Sequence, residues 1–127
     1  MSYPDLDRAR GLHAALHELF QCRSDWSDPA LLNRALGLCR EAAASVSDAY
    51  CREELHIVVD YARELFSHAS HRKYESDSLS GGEFLRLQIL KALDSFHSRL
   101  YSMEAIRRAG ELARLQPPAP GRHGPGV

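Results

Sequence analysis

The residues whose types and spacing could do chemistry are histidines and carboxylates one helical turn apart. His13 and His17 are four apart, so on a helix both imidazoles leave the same face and could reach one metal ion. Glu53-x-x-His56 places a carboxylate and an imidazole three apart, with Glu64 and His68 further along the same predicted helix. Asp94-x-x-His97 repeats that spacing with a shorter acid. His13, His17, Glu53 and His56 are therefore the candidate metal ligands, provided that their two helices converge. Two ligands from one helix do not complete a coordination shell, and Glu18 points away from the His13–His17 face. His13 also falls on an apolar stripe, where a histidine at the edge of the core is the simpler reading.

Three local patterns resemble known families. Glu53-x-x-His56 is similar to the ligand pair of ferritin-like di-iron bundles. That family needs two such motifs and a glutamate from each of two further helices. Asp94-x-x-His97 departs from the motif, and Glu41 falls off the apolar face. Leu79-Ser80-Gly81-Gly82-Glu83, followed by Arg86, resembles the signature motif of ABC-type ATPases, in which glycine amides at a helix N-terminus face a nucleotide phosphate. The chain has neither the G-x-x-x-x-G-K-[ST] loop nor a predicted strand to carry the other half of such a site. Ser80 with Glu83 three residues on reads equally as a capping box. A helical bundle of this length with exposed histidines looks like a histidine phosphotransfer domain. His56, His68 and His71 lack the downstream lysine and glycine that surround the histidine in that family.

Nucleophilic catalysis has no foothold in the sequence. There is no G-x-S-x-G elbow, and Cys22, Cys39 and Cys51 have no histidine partner at short range. Their number is odd and no pair is spaced C-x-x-C, which speaks against a disulfide framework or a zinc knuckle. Cys39 and Cys51 sit at apolar positions of predicted helices, where cysteine acts as a small hydrophobe.

The elements that must position these groups are helices. Leu6, Ala9, Leu12, His13, Leu16, Leu19 and Phe20 recur at helical spacing, predicting a first helix from about Pro4 to Gln21. Asp28-Pro29 starts a second, with aspartate as N-cap and proline as first helical residue. Its face carries Leu32, Ala35, Leu36, Cys39, Ala42, Ala43 and Val46, and Gly37 reads as a close helix–helix contact. Ser47 or Asp48 caps a third helix striped by Cys51, Leu55, Val58, Val59, Ala62, Leu65, Phe66 and Ala69. The polar stretch from Cys22 to Asp28 and the segment from about Ser70 to Gly82 read as loops. A fourth helix starts at Ser80 and runs to about Leu115, unbroken or bent near Ser102, with Phe84, Leu85, Ile89, Ala92, Leu93, Phe96, Leu100, Met103 and Ile106 inward.

The expected fold is all-α, an antiparallel four-helix bundle over residues 1–115 with a disordered Pro/Gly-rich tail at 116–127. The chain is long enough for one core, with 127 residues of which 44% are hydrophobic. No apolar run reaches the ~18 residues of a membrane span, and the polar N-terminus lacks a signal peptide's pattern. A cytoplasmic protein is expected. The formal net charge of −1 lacks the basic excess that nucleic-acid binding ordinarily requires.

These readings converge on a non-catalytic protein-binding or regulatory module, such as an adaptor, chaperone or inhibitor, without a cofactor. Leu85, Leu87, Leu90 and Leu93 cover much of the fourth helix's circumference, so part of it should meet a partner or a second copy, most simply as a homodimer. Leu87, Leu90, Tyr101, Arg72 and Lys73 are the candidate interface. The alternative is a metal- or cofactor-binding bundle built on the His/Glu set. Nucleic-acid contact through Arg72, Lys73 and the C-terminal arginines ranks last.

Overall fold

Three of the four long helices begin where a side chain accepts one of the first free N–H groups. A computed structural model describes residues 3–21 and 25–115, and all its regular structure is helical. Helix α1 spans Pro4–Gln21, α2 Pro29–Ser45, α3 Ala49–Leu65 and α4 Gly81–Leu115, with a 3-10 helix at His68–Tyr74. Asp28 accepts the Ala30 N–H at 2.9 Å and Asp48 the Cys51 N–H at 3.0 Å, so the predicted caps of α2 and α3 are in place. At α4 the Ser80 hydroxyl accepts the Glu83 N–H at 3.1 Å. The Glu83 carboxylate turns to Arg86, at 2.6 and 2.9 Å, where a full capping box would send it back to Ser80. No helix of the described residues is long and apolar enough to cross a membrane. The Pro/Gly-rich tail and Cys22 lie outside the described residues.

The core is drawn from all four α-helices and from the segments between them. Leu6, Leu16, Phe20, Leu55, Leu65 and Phe96 are among the side chains with no more than 2% of their surface exposed. Helix α1 packs on α2 and α4, and α3 packs on α2 and α4; neither α1 with α3 nor α2 with α4 makes contact. Contacts fix how neighbours run. Asp5 meets Arg107 and the Phe20 carbonyl meets Arg86, so the start of α1 lies beside the end of α4. Arg8 pairs with Glu41, joining the start of α1 to the end of α2. Asp48, just before α3, binds Arg99 far along α4.

Two predictions are corrected by packing. The stretch read as a polar loop carries Trp26, which is 4% exposed and packs on Phe20 and Phe66, both ring pairs 5.7 Å apart. The loop predicted from Ser70 contains most of the 3-10 helix, whose Tyr74 ring stacks on Phe84 at 5.3 Å. Helix α4 is not broken at Ser102. It is a single helix of 35 residues, about 52 Å long at 1.5 Å per residue. Ile106, predicted to face inward, is 64% exposed; it lies beside Arg107, which meets Asp5 in the first turn of α1.

Two helix C-termini are closed by side chains from other elements. The terminal carbonyls of a helix have no partner within it. Arg86 of α4 donates to the Phe20 and Gln21 carbonyls at 3.2 and 2.9 Å. His71 donates from Nε2 to the Leu65 carbonyl at 2.7 Å, since a carbonyl oxygen can only accept. That histidine is held so close to α4 that a Cβ at Gly81 would overlap its carbonyl oxygen and lie 2.6 Å from its carbonyl carbon. Gly37 is different: nothing lies within 4 Å of a Cβ there, so the close helix contact expected at that position is absent.

These contrasts yield two stability predictions. Gly81→Ala should cost about 1–3 kcal/mol through forced backbone displacement, whereas Gly37→Ala should gain about 0.5–1 kcal/mol from helix propensity; urea denaturation midpoints of the two variants should move in opposite directions. Asp48→Asn keeps a capping oxygen and loses the charge facing Arg99, whereas Asp48→Ala loses both. The alanine variant should be the less stable of the two, by about 0.5–2 kcal/mol for the cap, in the same urea titrations.

Candidate functional site

The two halves of the predicted metal set sit on helices that do not touch. His13 and His17 project from α1, with ring centroids 5.7 Å apart. Their neighbour across the helix interface is His97 of α4, whose ring lies 4.6 Å from His13. Glu53 and His56 are exposed on α3, where His56 pairs with Asp60 at 3.7 Å. The structure therefore does not bring His13, His17, Glu53 and His56 together. Among the described residues no group of three or more His, Cys, Asp or Glu side chains is arranged to hold a metal ion.

What the structure builds at His13 is a row of imidazoles at the edge of the core. The His13 ring also stacks on Phe96, 6.3 Å away. Its Nε2 is buried without a hydrogen-bond partner. Burial, reinforced by the charges that His97 and His17 can carry and opposed by Asp94, lowers its pKa to about 4. The boundary reading of His13 accounts for this geometry.

The two described cysteines are similarly quiet. Burial pushes both Cys39 and Cys51 up to about 12, so neither thiol supplies a thiolate near neutral pH. The Ser80-Gly81-Gly82-Glu83…Arg86 motif is used by the fold. Ser80 caps α4, Gly81 admits the His71 backbone, and Glu83 holds Arg86 on the end of α1. The cavity at this end, about 250 Å³, is lined by Glu75 and Glu83 as well as the glycines, a poor setting for a phosphate.

The predicted interface residues are distributed over two regions. Leu87 is 40% and Tyr101 72% exposed on the outer face of α4, while Leu90 is half-buried against the core. Arg72 and Lys73 are exposed on the 3-10 helix, and Lys73 pairs with Glu64 at 3.6 Å. Beyond Tyr101, α4 also exposes Leu112 (62%) and Leu115 (74%). Tyr101, Ala105, Arg108, Leu112 and Leu115 follow one another at steps of four and three residues, the spacing of a coiled-coil seam.

Sequence reading missed a second surface, a groove of about 220 Å³ between α2 and α3. Its floor includes Leu36, Ala43, Leu55 and Val59, and its rim carries Arg40, Arg52 and Arg63. A signal was present: Arg52, His56, Val59 and Arg63 recur at steps of four, three and four, one stripe of α3. Which helix would face that stripe was not readable from the pattern.

The lowered His13 pKa has a definite sign for stability. The unfolded chain protonates near the ordinary value of 6.5 and the folded one near 4. Stability from a neutral His13 is therefore complete above the ordinary value and is lost as pH falls towards 4. Urea unfolding at about pH 7 and about pH 5 should show a loss on acidification that is smaller in His13→Leu; equal losses would remove His13 as the cause. No protein-family model, curated protein or solved structure matches this chain.

Proposed function

We propose that this chain is a protein-binding module that self-associates through the outer face of α4, on a scaffold that is an antiparallel four-helix bundle. The observation that carries the reading is that the exposed Tyr101, Leu112 and Leu115 fall in one coiled-coil register on α4, with Ala105 and Arg108 between them, along a helix whose inner face already completes the core. Single exposed hydrophobes are ordinary on protein surfaces, but a run in coiled-coil register on one helix is a pattern that a facing helix covers. The ring of neighbour contacts, with both diagonals empty, and the end-to-start ion pairs support the bundle arrangement. An adaptor, chaperone or inhibitor role is compatible with such a surface.

The seam is short, which limits the strength of the complex. Tyr101, Leu112 and Leu115 from each of two copies give six large side chains, or about 9–18 kcal/mol if fully buried. Association costs about 4–15 kcal/mol in lost freedom. The balance describes a reversible, concentration-dependent dimer in which two copies meet about a two-fold axis.

Light scattering after size exclusion, run across a dilution series, tests this. The wild type should shift from monomer towards dimer as concentration rises. Leu112→Glu with Leu115→Glu should remain monomeric with unchanged helical circular dichroism. A wild type that stays monomeric at every concentration would overturn self-association.

A further inference from the structure

We propose that the groove between α2 and α3 is a docking site for an acidic amphipathic helix of a partner protein. It is a different surface from the α4 seam and does not depend on the self-association reading.

The charged groups in the groove's lining are basic, and Asp60, outside the lining, faces His56 at 3.7 Å. Arg40, Arg52 and Arg63 rim it, with His56 between them, and no aspartate or glutamate is in its lining. Most arginines that hold this fold together are already matched: Arg99 with Asp48, Arg107 with Asp5, Arg10 and Arg108 with Glu104. Arg40 and Arg63 have no ion pair among the described residues. Arg52 spends its Nε on the Val46 carbonyl at 3.1 Å, which fixes the stem and leaves the guanidinium end at the rim. Arginine forks held beside a surface in this way match carboxylates.

The floor beneath them is apolar and periodic. On the floor, Leu36 and Ala43 of α2 are seven residues apart and Leu55 and Val59 of α3 are four apart. Two packed helices leave a channel along their axes, and about 10.5 Å between residues seven apart is also the spacing of the i and i+7 side chains of an incoming helix. Leu36, Ala43 and Val59 are only half-buried, so this floor is not sealed by the protein itself.

Size and composition select among occupants. Sites that enclose a small molecule run to about 300–1,000 Å³, and this open groove offers about 220 Å³. That suits one or two apolar anchors of a larger partner. A nucleic-acid backbone would use the arginines and leave the apolar floor uncovered. An acidic amphipathic helix uses both: aliphatic side chains on the floor, and Asp or Glu at the flanking positions against Arg40, Arg52 and Arg63. The partner is thus recognised by its pattern, an apolar stripe bordered by carboxylates.

A display library of random peptides of about 16 residues, roughly 24 Å as a helix, provides the probe. It would be panned on the full chain after depletion on the Arg40→Glu/Arg63→Glu variant. Both arginines are exposed and have no ion pair among the described residues, so the variant should fold, and circular dichroism checks that it does. The expected result is enrichment of sequences with apolar residues at three- and four-residue steps flanked by Asp or Glu. The best peptide should then lose at least about tenfold in affinity on the double variant and weaken with salt, while binding the Leu112→Glu/Leu115→Glu protein as it binds wild type. Failure to enrich any peptide, enrichment without acidic bias, or equal binding to the arginine variant would each overturn the proposal. Loss of binding only in the α4 variant would move the docking surface to α4 and overturn it as well. A monomeric wild type would leave this assay intact, so the two readings fail separately.

Discussion

A helix twice as long as its neighbours has to be held in register by something more specific than apolar contact. Leu85, Ile89, Leu93, Phe96 and Leu100 give α4 a continuous buried stripe, but a stripe of similar side chains tolerates sliding. The ion pair of Arg99 with Asp48, bidentate at 2.9 and 3.1 Å, does not. Asp48 also caps α3, so one carboxylate fixes where α3 begins and which turn of α4 it begins beside. Its side chain is 16% exposed, and the Arg99 guanidinium holds its pKa down to about 2. The charge is therefore present throughout the range in which the protein would work. As pH falls from the ordinary carboxylate value towards 2, that contribution is lost.

The same device recurs at the other ends. Arg107 clamps Asp5 at the start of α1, and Arg86 closes its last carbonyls. His71 does for α3 what Arg86 does for α1. In each case a group from α4 or from the 3-10 helix packed against it satisfies the unpaired backbone or carboxylate at a helix end. Polar contacts set the register while apolar burial supplies the driving force. Gly81 belongs to this scheme because the His71 backbone can reach the end of α3 only by crossing where a Cβ would stand. A motif that resembles a phosphate-binding signature is thereby accounted for by local packing.

The helices were legible because their signals are local. Asp28-Pro29, Asp48 and Ser80 act through hydrogen bonds to residues two or three positions away, so their meaning survives without knowledge of the fold. Trp26 was not legible. Its polar neighbours hide it, and it is buried only because Phe20 and Phe66 converge there. Ile106 failed the opposite way: the period of the stripe continues through it, and the residue is exposed. The histidine and carboxylate set failed on neighbour order. Periodicity gives the face of a helix but not the helix opposite, and α1 and α3 turned out to share no contact. His13 met His97 instead, a pairing of residues 84 positions apart (97 − 13) that no short-range pattern encodes.

Charge balance conceals the same kind of information. A net charge of −1 argues against a phosphate-binding surface, and for the whole chain that holds. Part of that sum comes from arginines and carboxylates matched to one another, which cancel wherever they lie. Among the groups outside those pairs, Arg40 and Arg63 stand on facing helices over an apolar floor without a carboxylate in the lining. An apolar floor left in water costs free energy. An arginine rim over aliphatic side chains becomes favourable when something covers the floor and supplies the carboxylates. The distribution of pairing, more than the count of charges, directs attention to α2 and α3.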